Sequence, residues 1–389
     1  MTWQKQSNCF IKPDDIRILM KIGIIIGDLQ TNRTGIGTYI YHLVTRLSAR
    51  YEITVIRHES GMDIPGCKSL IIKTPFYRRY NSLLWNQWLR CYKKELEQFD
   101  VLHNPGQFLT SSNLGRHQVV TIHDITPIIT PFYHFPFRSL TNRIFLPSVL
   151  HSSDRIIADS NHTKKDIYEV YGIAQEKIEV IHLAADPQFQ PMDREKIFAW
   201  RAEKNLDYPY LLFVGTIEPR KNIETLIKAF EMIADSFRDL HIVLSGNRGW
   251  NSEPIFEMIG ASRYSERIHW LDYVPFEELP LLYSGASAFI YPSWYEGFGF
   301  PPLEAMQCGT PVICSSSSSL PEVVGKDGIM VAPDDVPGFA REITRVLTDE
   351  SFREKMVLHG FQQANQFSWE KTIEKTAEVY ESILRKDSP

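Results

Sequence analysis

The stretch YLLFVGTIEPRKN, residues 210–222, decides the fold. Tyr210 to Val214 is an unbroken apolar run, too short for a helix and without alternation, which reads as a strand buried on both faces. A glycine and a proline then turn the chain, and Asn222 stands where it can cap a following helix. The same grammar recurs downstream at His241–Ser245, Ile268–Leu271, Ala288–Tyr291, Pro311–Cys314 and Ile329–Val331. Upstream it appears at Lys21–Gly27, Ile53–Ile56, Ser69–Ile72, Val101–His103, Gln118–Ile122, Arg155–Ala158 and Ile178–Ile181. Helical segments separate the runs, so the chain is expected to be α/β, with two Rossmann-like, doubly wound parallel-sheet domains.

A length of 389 residues suits two such domains. Residues 1–19 are polar and read as an N-terminal extension, with Met20 a candidate start. The first domain is expected over 20–190 and the second over 191–368, because Asp186–Pro209 is polar and carries prolines at 187, 191 and 209. Residues 369–389 have helical spacing from Trp369 to Leu384 and are expected to cross back to the first domain. The run Ser315–Ser319 follows a strand and reads as a loop. Open α/β sheets bind ligands beyond the carboxyl ends of their strands, so a ligand is expected in a cleft where the two domains face each other.

Apolar residues make up 43% and charged residues 23%, a globular balance that excludes disordered or fibrous classes. Five cysteines, at 9, 67, 91, 308 and 314, form no CxxC or Cys/His cluster, which argues against a disulfide framework or structural zinc and for a reducing compartment. No apolar run is long enough to span a bilayer, and the N-terminus lacks signal-peptide order, so a cytoplasmic protein is expected. Residues 1–187 hold 22 Lys+Arg against 17 Asp+Glu, and residues 188–389 hold 20 against 30. The basic excess of the first half is too small for nucleic acid but would suit an anionic lipid surface or an acidic acceptor. Residues 74–94 interleave Arg78, Arg79, Arg90, Lys93 and Lys94 with Tyr80, Leu83, Leu84, Trp85 and Trp88, the pattern of an interfacial helix or, more commonly, of an ordinary domain helix.

Chemistry-bearing residues cluster at strand ends. Gly35-Ile36-Gly37 opens an amphipathic helix after the first strand, where glycines admit close backbone approach and helix amides attract phosphate. As a dinucleotide fingerprint it fails, since the third glycine is missing and only Glu59 stands near the acidic position; an unliganded turn fits equally. Arg220 and Lys221 are adjacent cations at the mouth of the second sheet, able to donate charge-assisted hydrogen bonds to a diphosphate or to form a solvated pair. Residues 293–306, SWYEGFGFPPLEAM, place Glu296 near a strand end, a Gly/Pro loop, and Glu304 in what reads as the first turn of a helix. Glu304 would also suit a helix-dipole role, whereas Glu296, before Gly-Phe-Gly in an apolar loop, needs a polar partner. His123 ends a strand of the first domain. There is no Asp-x-Asp, GxxxxGK[ST], HExxH or GxSxG, so no metal or other cofactor is expected.

Together, Gly35-Ile36-Gly37, Thr121-Ile122-His123-Asp124, Ile157-Ala158-Asp159-Ser160, Glu218-Pro219-Arg220-Lys221-Asn222 and the Glu-x7-Glu pattern at Glu296 and Glu304 resemble the retaining glycosyltransferases of family 4, over nearly all of Met20 to Leu384. The resemblance implies a GT-B fold, with 20–190 the acceptor side and 191–368 the nucleotide-sugar donor side, and transfer of a hexose from a nucleoside diphosphate sugar, of GDP-mannose or UDP-glucose type, to a saccharide or lipid-linked acceptor in polysaccharide or glycolipid biosynthesis. Peripheral contact at the cytoplasmic membrane face is the lesser alternative, resting on residues 74–94. The resemblance further implies that Arg220 and Lys221 hold the diphosphate, and that Glu304 accepts from the ribose hydroxyls. Glu296 with Gly297, Phe298 and Gly299 would hold the transferred sugar, His123 would contact the hexose, Gly37 would approach the diphosphate, and Val274 would meet the nucleobase. One departure is Thr216, which stands where many relatives carry arginine; Arg220 is the candidate to compensate. Rival readings are a sugar phosphorylase or nucleotide-sugar epimerase on the same fold, and a non-catalytic sugar-nucleotide-binding protein.

Overall fold

The computed structural model describes residues 20–29, 34–74, 81–110 and 113–386. The expected N-terminal extension, and Arg78, Arg79 and Tyr80 of the basic–aromatic segment, lie outside the described residues.

Every apolar run singled out in the sequence forms a strand. These are β1 Lys21–Gly27, β2 Glu52–Arg57, β3 Lys68–Ile71, β4 Val101–Asn104, β5 Gln118–Ile122, β6 Arg155–Ala158 and β7 Ile178–Val180, followed by β8 Tyr210–Val214, β9 His241–Ser245, β10 Ile268–Trp270, β11 Ala288–Tyr291, β12 Val312–Ser315 and β13 Ile329–Val331. Two sheets result, with orders β3-β2-β1-β4-β5-β6-β7 and β10-β9-β8-β11-β12-β13. Pairing is parallel in both, as in β1 with β4 and β8 with β11. Parallel neighbours need crossovers, and the helices between the runs supply them. The helices used below are α1 Gly35–Leu47, α2 Asn81–Trp88, α3 Pro136–Ser152, α4 Asn161–Tyr171, α5 Ile223–Ile233, α6 Glu253–Ala261, α7 Phe300–Gln307, α8 Leu320–Val324 and α9 Trp369–Lys386.

The chain divides into two compact units: the described residues of Met1–Thr121, Phe145–Ile157 and Ile373–Pro389 form one, and Ile122–Ile144 with Ala158–Thr372 form the other. In the first, Ile25, Ile56, Trp85, Leu89, Leu96 and Phe99 form one buried cluster. Trp85 is buried and donates its indole N–H to the Ile72 carbonyl at 3.0 Å, so α2 is an ordinary core helix. Helix α9 brings Tyr380 to this unit, its hydroxyl 2.6 Å from His103 Nδ1 on β4. In the second unit Tyr291 on β11 stacks with both Phe213 on β8 and Phe289 on β11, with ring centroids 5.6 Å apart in each pair.

In both sheets the strand order reverses beside the first strand, between β1 and β4 and between β8 and β11. Loops leaving adjacent strands diverge at such a point and leave room for a ligand.

Candidate functional site

Because β8 and β11 are neighbours, the loops that follow them meet. The first forms a single tight turn at Pro219–Lys221, ending on Asn222 in the left-handed region at φ 55°. Asn222 occupies the cap position of α5, but its side chain accepts nothing from the helix amides. Instead it donates to the carbonyls of Pro292 and Pro333, tying the turn to two other loops.

This turn delivers two cations to one carboxylate. Lys221 Nζ donates to Glu296 Oε1 at 2.7 Å and to the Tyr291 hydroxyl at 2.8 Å. Arg220 Nη1 donates to Glu296 Oε2 at 3.1 Å and to the Tyr295 carbonyl at 2.6 Å, while its Nε and Nη2 donate to Glu218 Oε1 at 3.1 and 2.7 Å. The Lys221 and Glu296 side chains are only 9% and 10% exposed, so the pair is shielded from solvent screening. Burial alone would raise the pKa of Glu296, but Lys221 and Arg220 overcome it and hold the carboxyl at about 2. Burial and the neighbouring guanidinium push the Lys221 ammonium down against the pull of Glu296. Arg220 is shifted the other way: burial opposes its charge, yet Glu296, Glu218 and Asp124 outweigh it. An ammonium has three donor hydrogens and a guanidinium five, so each cation keeps one N–H beyond these contacts.

The loop carrying Glu296 is held by the serine run, itself a loop after β12 as expected. Ser318 Oγ accepts from the Glu296 amide at 2.8 Å, and Ser319 Oγ lies within hydrogen-bond reach of the carbonyls of Glu296 and Phe298, at 2.9 and 2.6 Å. Ser317 and Ser315 donate to the carbonyls of Trp294 and Ser293 at 2.8 and 2.5 Å. Five short hydroxylated residues following a strand, opposite a Gly-rich loop, were the available signal.

Gly297 is fixed by crowding, since a Cβ there would lie 1.9 Å from the His123 carbonyl oxygen. The backbone of His123 therefore lies against the Glu296 loop, and Thr163 Oγ1 on α4 lies within hydrogen-bond reach of both the His123 and Gly297 carbonyls, at 3.3 and 3.4 Å. The imidazole turns to Asp159, with Nδ1 2.6 Å from Oδ2. Asp159 is buried, and its Oδ1 has no partner among the described residues. Burial raises the Asp159 pKa against the pull of His123. Asp159 stands in the Ile157-Ala158-Asp159-Ser160 stretch, whose sequence alone does not reveal this contact. Phe298 is buried, with its ring 5.8 Å from Phe367 and 6.2 Å from His182. Gly299 precedes α7 at φ 124°.

Glu304 departs from its expected placement. Helix α7 starts at Phe300, so Glu304 lies beyond its first turn and has no helix-dipole role there. It accepts from the Tyr283 hydroxyl at 2.8 Å, and burial raises its pKa to about 7 although that bond pulls the other way. Glu296 and Glu304, eight residues apart, are thus shifted in opposite directions. Val274 is buried just past β10, next to exposed Tyr273. Gly35 and Gly37 belong to the other compact unit, at the start of α1, where Thr34 Oγ1 accepts from the Gly37 amide at 3.2 Å. Thr216 is exposed, and Arg220, named to compensate for it, is engaged by Glu218, Glu296 and Tyr295.

The family model described as Glycosyltransferase Family 4 matches residues 33–189, and that described as Glycosyl transferases group 1 matches residues 194–363. O-antigen chain mannosyltransferase B of Escherichia coli is 33% identical over 388 residues, covering 94% of this chain and 100% of that protein. Among solved structures, HepE of Anabaena in complex with UDP-glucose has a TM-score of 0.77 at 17% identity, covering 93% of this chain and 100% of that one. Sucrose-phosphate synthase from Thermosynechococcus elongatus has a TM-score of 0.76 at 19% identity, covering 94% and 100%. At such identities the likeness is one of fold, the GT-B architecture of two parallel-sheet α/β domains.

Proposed function

Since the chain belongs to the family 4 glycosyltransferases, we propose that this glycosyltransferase moves a mannosyl residue from GDP-mannose to the end of a saccharide of O-antigen type, with retention of the anomeric configuration and without a metal ion. The observation that carries the reading is the buried Arg220–Lys221–Glu296 cluster at the reversal of strand order in the second sheet. The choice of mannose is supported by likeness along the full length to a protein named a mannosyltransferase.

In this reading the donor diphosphate takes the remaining N–H of Lys221 and of Arg220. The bond from the anomeric carbon to the β-phosphate oxygen breaks with its electron pair on phosphate. An acceptor hydroxyl oxygen then bonds to that carbon from the same face, and its proton passes to the departing phosphate. Negative charge grows on phosphate beside two fixed cations, and positive charge grows on the sugar ring beside Glu296. Preorganised charges of this kind need no reorientation as the transition state forms. The absence of Asp-x-Asp from the sequence supports leaving this work to side chains.

The acceptor is read as lipid-linked, and the protein as cytoplasmic and peripheral to the membrane. No helix among the described residues is long and apolar enough to cross a membrane. A lipid-facing surface is better supported on α3 than on α2: Phe137, Leu140 and Ile144 are 62%, 55% and 58% exposed along one helical face, beside exposed Arg138 and Arg143. Flotation with anionic vesicles checks this, and a protein left entirely in the unbound fraction would refute it.

The experiment for the main reading is incubation with GDP-mannose or UDP-glucose and an oligosaccharide acceptor, followed by proton NMR of the new anomeric signal. An α-linked product from GDP-mannose is expected. Turnover of UDP-glucose alone would overturn the donor, and a β-linked product would overturn retention.

A further inference from the structure

A groove of about 460 Å³ opens beside the cation cluster and is unused by the chemistry above. Its walls include Pro219 and Asn222, which flank Arg220 and Lys221, and Trp294, two residues before Glu296, but none of those three charged residues. The rest comes from the first two turns of α5 and α6, Asn251 before α6, Asp334 and Val336, and Tyr133. Its volume lies within the range of roughly 300–1,000 Å³ usual for small-molecule sites.

Resting on the glycosyltransferase reading, we infer that this groove is a subsite for the acceptor saccharide, holding sugar units behind the one that receives the new residue. Its side-chain charges do not favour a nucleoside diphosphate. The sole lysine of the lining, Lys228, is paired with Glu224, and Asp334 adds a further negative charge. None of the residues expected to hold the donor (Lys221, Val274, Gly297 to Gly299, Glu304) contributes to the walls.

What remains suits a neutral polyol. Tyr133 and Trp294 supply aromatic surface for the apolar faces of sugar rings, and Ile255 and Met258 supply aliphatic floor. Among the described residues the Tyr133 hydroxyl and the Trp294 indole N–H have no hydrogen-bond partner, so both are available to sugar hydroxyls. The groove is also preformed: Asn222 and Thr225 on one wall spend their polar groups on the Pro333 carbonyl. Trp294 donates its backbone N–H to the Arg220 carbonyl at 2.9 Å, so the groove wall and the cation turn share one backbone link.

The test is acceptor-length dependence. Mannose oligomers of one to four units on a common aglycone are compared with wild type, Tyr133→Ala and Met258→Trp, the last filling the groove. In wild type the acceptor KM is expected to fall at least about fivefold from one unit to three, the scale of one aromatic contact. In both variants that advantage should shrink below about twofold, with donor KM and acceptor-free donor hydrolysis unchanged. Length dependence that survives in both variants, or is absent from wild type, overturns the subsite. A rise in donor KM alone would give the groove to the donor and overturn it too. Saturation-transfer NMR of the oligomers without donor reads the groove separately from transfer: contact in wild type that is lost in both variants supports the subsite even where transfer from GDP-mannose fails, and no contact refutes it.

Discussion

The turns after β1 and β8 hold the same topological place, yet they carry different things. The first leads into α1 through Thr34, Gly35 and Gly37, and no charged residue occurs from Thr34 until Arg46 in the helix's last turn. The second packs Glu218, Arg220 and Lys221 into four residues. Their neighbours differ in parallel. Beyond β4, the loop closes on neutral groups, with Asn104 bonded through its side chain to the carbonyl and amide of Phe108 at 2.7 and 3.0 Å. Beyond β11, the loop closes on ions, with Glu296 between Lys221 and Arg220. Sheet topology supplies a place for a ligand twice, and only side chains from two adjacent loops turn one place into a charged site.

The largest expected effect falls on the charged turn. Lys221→Ala should lower kcat by about 10²–10³-fold, the scale of one preorganised donor, with an unchanged circular dichroism spectrum because Glu296 keeps Arg220. Unchanged turnover would remove Lys221 from the mechanism. Glu296→Gln preserves shape and removes charge; turnover should drop about 10–100-fold while donor affinity moves less than about threefold. Stopped assays with calorimetric donor titration separate the two, and a loss confined to affinity would make Glu296 a binding residue only.

A smaller effect is carried by pH. Glu304 titrates at about 7 in the fold against 4.5 for the free group, so between those values the native state binds more protons than the unfolded state and stability falls as pH rises. Glu296, at about 2, has the opposite sign: its contribution is complete above 4.5 and is lost as pH falls toward 2. Thermal denaturation from pH 4.5 to 7 should show a decline in Tm in wild type that is weaker in Glu304→Gln. Equal slopes would deny that Glu304 is neutralised by burial. The smallest effect belongs to the uncharged turn. Thr34→Ala removes the α1 cap and should cost about 1 kcal/mol in urea denaturation while catalysis by the cation cluster stays intact.

The strands were legible because continuous apolar runs have few other uses, and even short runs such as Ile178–Ile181 were found within one residue of their observed limits. Lys221, Arg220 and Glu296 were legible as charged residues at strand ends, but not as one another's partners, since Lys221 and Glu296 are 75 positions apart and meet only because β8 pairs with β11. The serine run is a loop, as its place after a strand indicates, but its bonds to backbone carbonyls were not legible, because serine is ordinary in loops and such bonds leave no spacing signature. Glu304 was misplaced by part of a turn, because Pro301 and Pro302 suit helix N-termini without marking where the first turn begins. Its neutralisation comes from burial against the opposing pull of Tyr283, 21 positions away, and was beyond reach.

The central claim is that side-chain cations at the β8 turn take the charge of the departing diphosphate. Initial rates of mannosyl transfer by EDTA-stripped protein test it most directly. The account predicts the same rate with and without chelator. Loss of transfer on chelation, restored by magnesium or manganese, would contradict it.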